Sequence, residues 1–181
     1  VCREGYSMSE SKVGKTLNDL FDKNPDKRIF VATFASNIHR MQQIMDIAEA
    51  HGRKVAFSGR SMINISETAM KLGELRFNRE NVIDIDKIDK FADKELCIVT
   101  TGSQGEPMSA LRRMANDNFP KVKLGDGDLI IFSSSPIPGN EKSVYSVINA
   151  LYKKGADVIY DELADVHASG HACQEELKTM H

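Results

Sequence analysis

The sequence is poor in the residues that would commit it to a specialised class. It has no tryptophan and only three cysteines, Cys2, Cys97 and Cys173. They are odd in number, far apart and never spaced as CxxC, so neither a disulfide framework nor a zinc knuckle is expected, and a reducing, cytoplasmic setting fits. No apolar run approaches the ~18 residues that cross a bilayer, so no membrane association is expected. Charge of one sign is missing too: 24 Lys and Arg against 26 Asp and Glu leave −2. Without a global basic footprint, any contact with a polyanion has to be local. Lys12, Lys15, Arg40, Arg53, Lys54, Arg60, Arg112 and Arg113 are the cations that could line a channel, although scattered basic residues also make an ordinary solvated face. The first residues, Val1-Cys2-Arg3-Glu4, include no Met and no basic-then-apolar leader, so no signal peptide is expected and the start reads as a cut through something longer.

What is present is ordinary globular material, 41% apolar and 28% charged over 181 residues, enough for one substantial core. Val13, Leu17, Leu20 and Phe21 recur at helical spacing between Ser9 and Asn24, with Ser7 or Ser9 as cap. Strand–loop–helix units then repeat: Arg28–Phe34 with a helix from Ile38; Lys54–Phe57 with a helix over Met62–Leu72; Leu96–Thr100 with a helix opened by Pro107. Asp128–Phe132 precedes a helix facing inward through Val144, Val147, Ile148 and Leu151, and Asp157–Tyr160 is a last strand. This alternation predicts a single α/β unit over 1–181: three layers, a mostly parallel sheet with helices on both faces, Rossmann-like. Ligands of such sheets bind beyond the carboxyl ends of the strands. Those ends read Thr33–Asn37, Ser58–Ser61, Thr100–Gly105, Ser133–Pro136 and Ala168–His171, a rim of hydroxyls and small residues suited to phosphates. Tight βα loops use the same residue types for their own sake.

Two nucleotide motifs fail. Gly14-Lys15-Thr16 lacks the glycine that a phosphate-binding P-loop needs five residues earlier, where Ser9 stands, and lies within a helix. Gly125-x-Gly127 has Ile130 in place of the third glycine and precedes a strand. No HxHxDH metal signature occurs, and the sequence offers no complete metal site. One late stretch does stand out: His167-Ala168-Ser169-Gly170-His171, after three acids and before a helical segment. Gly170 disfavours a helix through the two histidines. A helix starting near Ser169 or Gly170 would point free N–H groups at whatever lies beside His171, making an anion pocket with a titratable imidazole; the plainer reading is a capped surface helix with a solvated histidine.

Five segments in order resemble the ribonuclease J family, of the metallo-β-lactamase superfamily and β-CASP group. They are Arg3–Glu10, Val31–Arg40, Thr100–Pro107, Phe132–Glu141 and Val166–Ala172. The resemblance covers only the β-CASP domain, which in that family is inserted into a metallo-β-lactamase domain absent from this sequence. It implies a zinc-dependent ribonuclease with 5′-to-3′ exonuclease and endonuclease activity, acting in rRNA processing and mRNA decay. By the same resemblance Glu10 pairs with His171 as a catalytic couple, a carboxylate fixing the imidazole for proton transfer. RNA and phosphate contacts fall to Ser36, Asn37 and Ile38 and to His167, Ala168, Ser169, Gly170 and His171. Implied partners are single-stranded RNA, above all 5′-monophosphorylated ends, the missing domain, and further copies in a homo-oligomer. Two zinc ions serve the intact enzyme; none is expected on this fragment, which alone should cleave nothing. The competing expectation is a non-catalytic α/β module that binds a phosphorylated small molecule such as a sugar phosphate.

Overall fold

The computed structural model describes residues 2–160, with side chains from Ser11 onward. Its centre is a six-stranded sheet in the order β3-β2-β4-β1-β5-β6, every neighbouring pair parallel. The strands are β1 (Arg28–Ala32), β2 (Lys54–Ser58), β3 (Val82–Ile83), β4 (Leu96–Thr100), β5 (Asp128–Phe132) and β6 (Asp157–Ile159). The helices are α1 (Cys2–Lys23), α2 (Ile38–Ala50), α3 (Arg60–Lys71), α4 (Ala110–Ala115) and α5 (Glu141–Lys153).

Alternation along each strand divides the apolar side chains between two cores. In β1, Ile29 and Val31 join Val13, Leu17 and Phe21 of α1 and Met41 and Ile44 of α2. Phe30 and Ala32 point the other way, among Leu111 and Met114 of α4 and Val144, Val147 and Ile148 of α5. Buried on both faces, the central strands are apolar without a break, as a covered parallel sheet demands. Each fully buried Ile, Leu or Phe adds about 1.5–3 kcal/mol. The three-layer α/β expectation and the inward faces of α1 and α5 hold.

Polar ties fix the register at the amino ends. Arg28 Nε and Nη2 donate to Asp128 Oδ1 and Oδ2 at 2.7 and 2.9 Å, across the pair that aligns β1 with β5. The same carboxylate accepts from Gly125 N at 2.9 Å, so the rejected glycine pair is the turn that feeds β5. Arg53, 2% exposed, donates to the carbonyls of Asn24 (2.9 Å), Lys27 (2.7 Å) and Leu96 (2.8 Å).

Several boundaries differ from expectation. α1 begins at Cys2, so Ser7 and Ser9 lie inside the helix instead of capping it, and Gly14-Lys15-Thr16 is mid-helix. β1 stops at Ala32 and α3 starts at Arg60, before Met62. Pro107 does not open α4: Ser109 is the cap, its hydroxyl accepting from Arg112 N, while Thr101 Oγ1 accepts from Ala110 N at 3.1 Å. These two acceptors hold the helix start beyond the proline. The loose stretch around Asn81–Asp84 supplies the edge strand β3.

Candidate nucleic-acid interface

Two chain directions diverge between β1 and β4. β1 leads through α2 to β2, while the neighbouring β4 leads through α4 to β5, and the two helices cover opposite faces. Such a switch point opens a crevice at the carboxyl ends of the strands. A cleft of about 850 Å3 lies there, its floor and walls built from Thr33–Ser36 after β1, Gly59–Ser61 after β2 and Thr101 after β4. Arg60 and Arg113 supply positive charge to it and Glu106 one carboxylate. The Arg113 guanidinium lies 5.2 Å from the centre of the Phe119 ring, which braces it from behind.

The loop after β4 holds one wall rigid. Gln104, 4% exposed, donates through Nε2 to Ser135 O (3.1 Å) and accepts from Ile137 N at 2.7 Å and Asn140 Nδ2 at 3.3 Å, clamping the loop that follows β5. Arg112 reaches Gly105 O and Ser143 O. Gly105 has φ +71°, and a Cβ there would stand 2.4 Å from Ser143 O, so no other residue fits. The Thr100–Pro107 segment therefore acts as a brace between loops. Its role was not assigned from the sequence, where only a glutamine between two glycines signalled it.

The expected site residues separate into three groups. Ser36 lines the cleft and is exposed. Asn37 is spent on structure, its Oδ1 accepting from Arg40 N at 3.0 Å as the cap of α2, and Ile38 turns to a neighbouring hollow with Ile65 and Leu72. Glu10 falls on α1, but its side chain is outside the described set, and His167, Ala168, Ser169, Gly170 and His171 lie outside the described residues altogether.

The expected basic channel is corrected. Arg60 and Arg113 do reach the cleft, but Arg40 is 1% exposed and donates to Ser133 O at 2.6 Å, while Arg53 and Lys54 serve the opposite, amino ends of the strands. Burial explains the difference: a cation in the interior has to spend its donors on carbonyls. Among the described residues no three His, Cys, Asp or Glu side chains gather as metal ligands, so a zinc ion has no ligand set among them. No helix among the described residues is long and apolar enough to cross a membrane.

The three buried side-chain atoms without a hydrogen-bond partner among the described residues share one end of the sheet. They are Thr33 Oγ1, Ser58 Oγ and Ser103 Oγ, at the carboxyl ends of β1, β2 and β4.

A sequence profile for the ribonuclease J β-CASP domain matches residues 26–151, more than half of the chain. The chain belongs to the ribonuclease J β-CASP domain family. Among its relatives, the ribonuclease J of Thermus thermophilus is 47% identical over 178 residues, covering 98% of this chain and 31% of that protein. Ribonuclease J of Mycobacterium tuberculosis is 49% identical over 173 residues, covering 96% of this chain and 31% of that protein. Helicobacter pylori ribonuclease J is 43% identical over 178 residues, with 98% and 26% covered. The chain thus spans about a third or less of these relatives' length. A protein of unknown function from Enterococcus faecalis V583 superposes with a TM-score of 0.54 at 15% identity, over 88% of this chain and 37% of that one, a likeness of fold alone.

Proposed function

We propose that this chain is the RNA-clamping β-CASP domain of a zinc-dependent ribonuclease J that works in the cytoplasm as a 5′-to-3′ exonuclease and endonuclease. The observation that carries this reading is the family match over residues 26–151, with relatives named ribonuclease J aligned along nearly the whole chain. In the intact protein two zinc ions, held by residues of another domain, supply the Lewis acid. This chain holds the substrate. Ser36 at the cleft, with the Asn37–Ile38 turn behind it, grips a nucleotide, and His167, Ala168, Ser169, Gly170 and His171 take the 5′ phosphate of single-stranded RNA. Glu10 orients His171, which carries a proton to the leaving oxygen. The intact enzyme works as a homo-oligomer, and the chain by itself cleaves nothing.

Titration of the isotopically labelled chain with 5′-monophosphorylated single-stranded RNA tests this. The His171 imidazole and Ser36 resonances should move, with affinity falling steeply as salt rises. Glucose 6-phosphate moving them while RNA does not would sink the ribonuclease reading. In the intact enzyme, His171→Ala should slow cleavage by about 10²–10⁴ with zinc content unchanged; loss of zinc would make His171 a ligand instead of an acid.

A further inference from the structure

The start of α3 is left open in a way the rest of the fold does not require. Its cap position is Gly59, with φ +97° and no side-chain cap bond. A Ser, Asp or Asn cannot stand there, because a Cβ would meet Thr101 Oγ1 at 2.4 Å. The close approach of the β2 and β4 loops thus keeps the helix uncapped, and a twelve-residue helix presents its free N–H groups and the positive end of its dipole. Those groups face the cleft: Gly59, Arg60, Ser61 and Asn64 all line it.

A second, independent observation meets them. Thr33, 1% exposed, lines the same cleft, and its hydroxyl is buried with no partner among the described residues. Buried hydroxyls are nearly always bonded, and an orphan asks for an explanation. A donor held ready, uncapped amides, the Ser61 hydroxyl and the Arg60 guanidinium are together the recognition set for a phosphate oxygen.

We infer that the α3 start is a backbone-phosphate seat: the amides of Arg60 and Ser61, the Thr33 hydroxyl and the Arg60 side chain hold one phosphodiester of a single-stranded nucleic acid within the cleft. The seat deepens the RNA-clamp reading and rests on it, and it is separate from the His167–His171 segment assigned to the 5′ end. It gives Arg60 and Thr33 positioning roles, fixing the strand several bonds away from any group that reacts.

The test uses the labelled chain and a short oligouridine with a 5′-hydroxyl, so that only backbone phosphates are offered. The Arg60 and Ser61 amide resonances should shift and saturate. Thr33→Val should weaken binding about tenfold, the size of one charge-assisted hydrogen bond, yet leave the melting temperature no lower, since the lost hydroxyl has no partner among the described residues. Arg60→Gln should weaken binding by a similar factor and reduce the slope of log affinity against log salt by about 0.7. Oligouridine that shifts Ser36 but leaves Arg60 and Ser61 unmoved at saturation overturns the seat while the clamp stands; no shift anywhere overturns both. Glucose 6-phosphate moving the same amides at lower concentration than the oligonucleotide also overturns it, in favour of a small phosphorylated ligand.

Discussion

Arg53 and Cys97 sit together in the interior, and burial acts on them in opposite senses. It pulls the Arg53 guanidinium below its ordinary value, and it pushes the Cys97 thiol up to about 12 despite the nearby cation. The thiol is therefore protonated in the folded chain while an exposed one ionises from about pH 9. Between those values the unfolded state binds fewer protons than the native state, so this group's contribution to stability is intact below pH 9 and is lost as pH rises toward 12, by about 1.4 kcal/mol per unit. Urea unfolding of the parent and of Cys97→Val across pH 8–10.5 should show the steeper alkaline loss in the parent alone. Arg53 is irreplaceable for a different reason. Its planar fork answers several carbonyls at once and stacks 5.6 Å from the Phe21 ring centre, geometry that an ammonium cannot reproduce. Arg53→Lys should lower unfolding stability by on the order of 3 kcal/mol in urea titration, because buried carbonyls lose their donors.

At the scale of elements, the loop after β4 is the piece most exposed to single substitutions. Gly105→Ala has to displace the backbone of α5 as well as adopt a left-handed conformation, and should cost about 2–4 kcal/mol by thermal melting. Gln104→Ala should lower the melting temperature and release the loop after β5, seen as faster amide hydrogen exchange at Ile137, whose N–H has the glutamine oxygen as its acceptor. These elements were legible to different degrees. Val13, Leu17 and Phe21 announced α1 because a period near 3.6 survives in the residues alone, but the serine caps misplaced its start, since nothing in a local pattern tells a cap from a solvent-facing serine. Pro107 was misleading because the helix boundary is set by Thr101 and Ser109, the first of them nine residues before Ala110, where the helix starts. Two of the basic residues lost from the channel, Arg40 and Arg53, look in the sequence like any exposed cation; only the packing around them shows that their donors are turned inward.

For the whole molecule, the strand–helix alternation conveyed the layers and the end of the sheet where the cleft would lie, because both follow from chirality and covering of a parallel sheet. The strand order did not follow from the residues, since alternation is equally compatible with several arrangements. That order has a consequence for how the chain is made. β1, the first strand of this chain, pairs with β4 and β5 and has no contact in the sheet with β2. A nascent chain that has reached residue 95 holds only the short β2–β3 pairing, with the apolar faces of α1, α2 and α3 ready but the middle of the sheet missing. Chains ended at residue 95 should be fully digested by protease under conditions where the complete chain resists, and refolding of the complete chain should be slow for its size, since its central pairings close loops of about 70 and 100 residues. During translation the first 95 residues of this chain wait, their strands unsheltered, for a segment that has not yet left the ribosome, and that interval is when the chain has most need of a chaperone.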